Sequence, residues 1–491
     1  AHGRAAHGPG CLGVSSPEPA AGESVVRRVA QNTAAQALGK VTVLAIGAVS
    51  IVVTTRYLGA SGYGQLALAL TFVQMLGLLA DLGLLTVVVR EISRDPDATE
   101  RLVGNALTLR LALSVVVIAL AGLLGLAMPY TPEVRVAILI AGVPLVLGLA
   151  NTAIVAVFQA RLRMDRAAIS DVAGRSAGFA ALVVVAALDL GFYAVVATAA
   201  VGAFVTLVVT WRLSRPLVRV RPQASRPVWR SLLAAALPVG AALAVTEVYF
   251  RADTLIVSLF EPYAEVGFYA LGYRVIELLG MLPAVVMTSV FPLLARYLRD
   301  DRDLARSTID AAADLFVALG VPLAAGGLVV APQLVRLIGG DDFEGAANTL
   351  RILLFAGAMA FVSGLFGMAL IAGDRQRSAL LLGLAALAFN VPVNFALVPS
   401  LGIDAAAAVA VASELLLVVG GVLLVRRELG IVPRMRMLWR SLAAATGMAG
   451  ILALVNDWSL ALLVPLGMAI YAAGLWAVGG IDRRMLEALR A

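Results

Sequence analysis

The arginines of this chain fall in the short gaps between long apolar runs, and they fall in every second gap. Apolar runs of roughly 20 residues match the hydrocarbon thickness of a bilayer. Basic residues confined to alternate gaps mark the cytoplasmic side of it. Spans are predicted over 34–55, 62–89, 102–128, 135–159, 167–188, 191–211, 231–259, 264–294, 308–330, 346–372, 378–398, 404–425, 438–456 and 459–479, about fourteen transmembrane helices in an all-α, polytopic membrane protein. One set of gaps carries Arg90, Arg94 and Arg101, then Arg161, Arg163 and Arg166, then the run from Arg212 to Arg230. The same set continues through Arg296 to Arg306, Arg375 and Arg377, Arg426 to Arg440, and Arg483, Arg484 and Arg490. The alternate gaps hold only Arg56, Arg135 and Arg336. This bias predicts a multi-pass protein with both termini cytoplasmic, and hence an even number of spans.

Composition agrees: 61% of residues are hydrophobic, only 14% are charged, and the mean hydropathy is +0.94. The net charge of +7 needs no nucleic-acid partner, because the excess arginine lies in short loops where topology accounts for it. Cys11, His2 and His7 are the only residues of their types and all lie near the start, so the spans offer no disulfide and no Cys/His metal or nucleophile site. Residues 1–25 are rich in Gly, Pro, Ala and Ser and are expected to be disordered. They lack the apolar stretch of a cleavable signal peptide, so the first span is expected to act as the insertion signal.

The gap from Trp211 to Arg230 is the longest, is basic, and contains Pro216, Pro222 and Pro227. It reads as a cytoplasmic linker, 213–230, between a six-helix half at 26–212 and another at 231–427, with residues 428–491 forming an appended helix pair and tail. A faint repeat supports the division: residues 56–68 and 259–271 each form a small turn with a Gly, then an aromatic or Leu, then Ala-Leu. Halves of six spans keep one orientation, so they would be related by an axis along the membrane normal.

No soluble-enzyme constellation is present. Lys40 is the only lysine, and its surroundings lack the Gly and the Ser/Thr of a phosphate-binding loop, because Ala34 and Val41 stand there. The chain is therefore expected to hydrolyse no ATP, to use no cofactor and not to be an enzyme. A membrane polymerase or ligase would need a large outer loop, and the widest outer gap, Pro332 to Phe343 with Arg336, Asp341 and Asp342, is short.

What remains are ionisable residues inside apolar spans, each costing about 2.5–3.5 kcal/mol at a helix centre and so a candidate for function. Glu247 and Arg251 are an i, i+4 pair, and Arg274 and Glu277 an i, i+3 pair, so each shares one helical face. Asp253 lies about 200° round the helix from Arg251, so the two cannot face one lumen equally. Glu414 is mid-span. Asp81, Arg110, Asp171 with Arg175, and Arg351 lie within about two turns of an interface, where snorkelling or local pairing is the competing explanation. For the deep pairs the competing explanation is a salt bridge that locks helix packing. Pro144, Pro238, Pro283, Pro322 and Pro392 fall inside spans and are predicted to kink them, with Asn390 and Asn394 one on each side of Pro392.

Three stretches resemble the polysaccharide flippase (Wzx-type) branch of the multidrug/oligosaccharidyl-lipid/polysaccharide exporter superfamily. The first is Arg56-Tyr57-Leu58-Gly59-Ala60-Ser61-Gly62-Tyr63-Gly64 with Asp81-Leu82-Gly83-Leu84. The second runs from Arg251-Ala252-Asp253-Thr254-Leu255-Ile256 through Val266-Gly267-Phe268-Tyr269 to Phe291-Pro292-Leu293-Leu294-Ala295-Arg296. The third is Asn390-Val391-Pro392-Val393-Asn394-Phe395 with Gly402-Ile403-Asp404-Ala405. The resemblance implies a V-shaped bundle of two six-helix halves around a cation-lined lumen. It implies alternating-access translocation of polyprenyl-(pyro)phosphate-linked oligosaccharide across the plasma membrane for surface polysaccharide biosynthesis. Its partners would be that lipid-linked substrate, membrane lipids, and a glycan polymerase with its export machinery; the chain itself is expected to be a monomer. Arg251 and Arg274, backed by Arg110 and Arg56, would bind the anionic headgroup, since guanidinium forks suit phosphate. Glu247, Asp253, Glu277, Asp81 and Glu414 would hold those arginines or carry a coupling proton. The alternative is a cation-coupled drug or small-molecule antiporter of the same superfamily, in which acids would dominate the lumen.

Overall fold

A computed structural model describes residues 21–480, with side chains described from Gly39 onward except at 239, 242, 243 and 246. Of the expected disordered tail, 1–20 lies outside the described residues, and 21–25 begin the first helix. Eleven helices among the described residues are long and apolar enough to cross a membrane. Two of these are double. Helix α1 (Ala21–Asp81) turns at Gly59, whose φ of 64° and ψ of −178° only glycine adopts without strain. Helix α12 (Gln376–Leu424) turns likewise at Gly402, with φ 72° and ψ −160°. Splitting both, and adding the 35-residue α7 (Arg226–Phe260), recovers the spans that hydropathy predicts. The others are α3 (Thr99–Ala127), α4 (Pro132–Ala160), α5 (Met164–Ala187), α6 (Phe192–Ser214), the stretch Tyr263–Asp300, α10 (Arg302–Gly339), α11 (Ala346–Ala372), α13 (Met437–Leu454) and α14 (Leu460–Ala477).

Two predicted spans are each broken in two. The second stops at Asp81, passes through Leu82 and Gly83 at positive φ, and resumes as α2 (Leu84–Arg94). The eighth divides at Gly280 into α8 (Tyr263–Leu279) and α9 (Met281–Asp300). Pro283 therefore sits in the first turn of α9, where its missing N–H breaks no helical bond, and not mid-helix as expected. Pro322 does lie mid-helix in α10 and leaves the carbonyl of Ala318 without its helical donor. The Tyr471 hydroxyl of α14 donates to that carbonyl at 2.9 Å, which ties the C-terminal pair to the bundle. The predicted wide gap after Pro332 is mostly helix, since α10 continues to Gly339.

Among the described residues, these gap-to-gap contacts join gaps of one parity. At the arginine-rich end, Arg299 reaches Asp374 at 3.5 Å, and Arg375 reaches Glu428 at 3.6 Å. There too the proline-containing segment is stitched to α3: the Asn105 side chain accepts from the Ser225 amide at 2.8 Å, and the Gln223 amide donates to the Gly104 carbonyl at 3.2 Å. At the arginine-poor end, the Tyr57 hydroxyl donates to Asp189 at 2.8 Å, and the Tyr263 hydroxyl accepts from the Thr131 amide at 3.0 Å.

Helices α1 and α8 cross at that same end through glycine. A Cβ on Gly64 would lie 1.8 Å from the Tyr263 carbonyl oxygen, and one on Gly267 would lie 2.3 Å from the Ala60 carbonyl oxygen. Gly64 and Gly267 occupy the same position in the two copies of the sequence repeat, as do Ala60 and Tyr263. The contact is thus reciprocal, as at a two-fold axis.

Candidate functional site

Between α1, α4, α5, α6, α7 and α8 lies a cavity of about 650 Å³. On α6 its lining runs from Val195 to Thr206, about 16 Å along the helix axis. The glycine crossing closes it at the arginine-poor end, helped by the Tyr130 hydroxyl against Ser258 at 3.1 Å. Towards the arginine-rich end, α2 meets α7: Leu84, Val87 and Val88 share a buried cluster with Leu232 and Ala236, and Gly240 lies against the backbone of Leu82.

Arg251 and Arg274 both line this cavity, with Glu277. Arg251 donates through Nε to Glu247 at 2.8 Å, and Arg274 through Nη1 to Glu277 at 2.6 Å. Each ion pair engages one nitrogen, so most of each guanidinium's five N–H donors stay available. The wall formed by α5 adds Asp171 and Arg175, which the sequence allowed to be mere snorkelling residues. They are not ion-paired with each other within 4.0 Å, nor with another described residue. The lining is otherwise apolar and neutral-polar: Gln74 and Thr71 from α1, Asn151 from α4 and Thr206 from α6. The Asn151 side-chain oxygen is buried and lacks a hydrogen-bond donor among the described residues. Hydropathy does not flag such residues, because one amide or hydroxyl barely lowers the mean of a span.

The remaining candidate residues lie elsewhere. Arg110 is fully buried and pairs with Asp81 at 2.5 Å, outside the cavity, and its Nε and Nη1 find no acceptor among the described residues. The pair joins α3 to the end of α1. Arg56 is exposed and donates through Nη2 to the Leu337 carbonyl at 2.8 Å, while the Thr55 hydroxyl reaches the next carbonyl, that of Ile338, at 2.8 Å. Both carbonyls belong to the last turn of α10, which has no helical donors left, so Arg56 and Thr55 cap a helix and do not face the lumen.

Asp253 faces away from Arg251, as the 200° separation requires. It is buried and accepts from the Tyr269 hydroxyl at 3.0 Å and from Asn394 at 3.0 Å. Asn394 also donates to Asn390 at 3.2 Å, and Asn390 to Ser413 at 3.3 Å. Glu414, 5% exposed, accepts from the Tyr249 hydroxyl at 3.0 Å and from Ser363 at 2.6 Å. These two carboxylates sit among α7, α8, α11 and α12 with neutral donors only. The Asn pair flanking Pro392 takes part in the Asp253 network and does not line the cavity that holds Arg251 and Arg274.

The sequence profile of the family described as "Polysaccharide biosynthesis protein" matches residues 29–298, and the MatE profile matches 238–396. No curated protein sequence matches the chain. Among solved structures, the lipid II flippase MurJ in an inward closed conformation superposes with a TM-score of 0.73 at 10% identity, over 89% of this chain and 97% of that one. An inward-facing multidrug resistance MATE family transporter of the MOP superfamily gives 0.66 at 16% identity, over 79% and 94%. A MOP superfamily transporter from Pyrococcus furiosus gives 0.51 at 13%, over 82% and 94%. The profile covers more than half of the chain, so this protein belongs to the polysaccharide biosynthesis protein family, on the fold of the MOP superfamily.

Proposed function

We propose that the chain is a flippase that moves a polyprenyl-(pyro)phosphate-linked oligosaccharide across the cytoplasmic membrane for surface polysaccharide assembly. The observation that carries this reading is the placement of Arg251 and Arg274, on adjacent helices, in one cavity deep in the bundle. A phosphate there competes with Glu247 and Glu277 for guanidiniums that still hold free donors, in surroundings where charge-assisted hydrogen bonds are strong. Arg175 adds a third guanidinium to the lining; with Glu247, the partner of Arg251, counted, Arg175, Arg251 and Arg274 balance Asp171, Glu247 and Glu277, so a bound phosphate must displace a carboxylate partner. Neutral amides and hydroxyls such as Gln74, Asn151 and Thr206 are the side chains that sugar hydroxyls would meet.

In this reading the arginine-rich end is cytoplasmic, and the two six-helix halves rock about the cavity. Two contacts alternate: Gly64 against Gly267 closes the outer end, and Gly240 against Leu82 the inner. Access requires one to part while the other holds. Asp253 and Glu414, buried without a cation, are the groups whose protonation or ion binding couples that motion to a gradient. They are also what favours the alternative of a cation-coupled antiporter for small molecules; the arginines in the cavity argue for the anionic substrate.

The test is export of a surface glycan in cells that depend on this chain. Arg251→Ala and Arg274→Ala should each abolish export while protein abundance stays near the wild-type level. Loss of the protein in both variants would mean that the pairs serve packing, and unaltered export would remove the phosphate-binding role.

A further inference from the structure

A second cleft, of about 300 Å³, lies between α10, α11 and α12 and shares no lining residue with the central cavity. Its origin is Pro332. That residue has no N–H, so the carbonyl of Leu328, four residues earlier in α10, loses its helical donor. The Arg351 Nε of α11 donates to this carbonyl at 3.0 Å. The bond fixes the guanidinium at the mouth of the cleft and leaves its terminal nitrogens without a partner among the described residues. The Asp404 carboxylate of α12 is already taken by Asn348 at 2.5 Å and Thr349 at 2.6 Å, and Arg351 makes no ion pair within 4.0 Å with a described residue. Apart from Asn348, whose amide is bonded to Asp404, the other lining residues are apolar: Leu328, Ile352, Phe355, Ala408 and Val411. Leu328 and Phe355 are exposed, so the cleft faces the lipid and not the central cavity.

Depth selects the ligand. Arg351 lies five residues beyond the start of α11 at Ala346, which is about 7.5 Å along the axis from the arginine-poor end. With a hydrocarbon core of about 30 Å inside a bilayer of about 40–45 Å, that is the level where headgroup phosphate meets acyl chain. An uncompensated cation above an apolar trough at that depth matches an anionic phospholipid in charge and in shape. We propose that this cleft binds the headgroup phosphodiester of an anionic phospholipid in the leaflet at the arginine-poor end. Arg351 grips the phosphate, and an acyl chain lies along Phe355 and Val411. The site is separate from the central cavity and does not depend on the nature of the transported substrate.

The full chain, purified with a mixture of phosphatidylglycerol and phosphatidylcholine, is examined by native mass spectrometry. Wild type should retain one phosphatidylglycerol preferentially. Arg351→Gln keeps a donor for Leu328 but removes the charge, and should weaken that retention roughly tenfold or more. Val411→Trp fills the trough without touching Arg351 and should also expel the lipid, so a folding defect in one variant leaves the other decisive. Inorganic phosphate should not displace the lipid. Equal retention in wild type and both variants, or no preference over phosphatidylcholine, overturns the site; displacement by inorganic phosphate overturns the lipid as its ligand.

Discussion

Gly64→Ala places a methyl carbon where the structure allows 1.8 Å to the Tyr263 carbonyl oxygen and 2.8 Å to the Gly267 nitrogen. Both neighbours are backbone, so no side chain can rotate aside, and α1 and α8 must separate by about an ångström or more. Overpacking of this kind costs about 1–3 kcal/mol, and the cost falls only on the conformation in which the arginine-poor end is closed. A penalty of that size, carried by one of two states, shifts their ratio by roughly 5- to 150-fold. Gly240→Ala is the matched opposite, since its Cβ would lie 2.6 Å from the Leu82 backbone at the other end. Spin labels at Glu133 and Ser400, both exposed at the arginine-poor end, introduced in a Cys11→Ser background, report the distance across it. Gly64→Ala should add a longer-distance population, and Gly240→Ala should narrow the distribution towards the short one. Identical distributions in all three proteins, with all three folded, would refute the idea that these crossings set which end is closed.

Asp81→Ala strands the fully buried Arg110 and should cost about 3–5 kcal/mol, seen as lost abundance and a lower melting temperature, whereas Asp81→Leu together with Arg110→Leu should recover most of it. The contrast with Arg251→Ala, which should leave abundance intact, separates packing from transport. Gly402→Ala forces a side chain into a backbone region open essentially to glycine and should destabilise by about 1–3 kcal/mol in a thermal melt, with Gly59→Ala behaving alike. Asp253→Asn preserves the shape of the network but removes its charge; transport in reconstituted vesicles should lose its dependence on an imposed cation gradient while substrate binding persists. Unchanged gradient dependence would assign that network to structure alone.

The fold was legible because apolar runs of bilayer length and the arginine parity act along the chain, where a sequence can be read directly. The repeat at 56–68 and 259–271 even marked the place of the glycine crossing, although nothing in one sequence says that Gly64 and Gly267 touch. Depth within a span was legible too, from the count of residues to the nearest gap. The direction a side chain faces round the bundle was not. Arg251 and Arg274 stand well inside spans and Arg110 within about two turns of an end, yet the first two face the cavity and the third is sealed against Asp81. Asp171 and Arg175 resembled snorkelling residues by depth, but α5 turns them inward. Arg56 was drawn towards the lumen by its charge, whereas its partner is the end of α10, which is 281 residues away in the chain. Such placements depend on tertiary packing, which periodicity does not encode in helices that are apolar on nearly every face.

The central claim is that guanidiniums in the cavity hold an anionic headgroup during its passage. It is tested most directly with the purified chain in proteoliposomes, following leaflet-to-leaflet movement of a fluorescent polyprenyl-pyrophosphate-linked sugar. Wild type should translocate it, and Arg251→Ala with Arg274→Ala should reduce translocation to the protein-free rate while the variant stays folded. Translocation at the wild-type rate by the double variant would contradict the account.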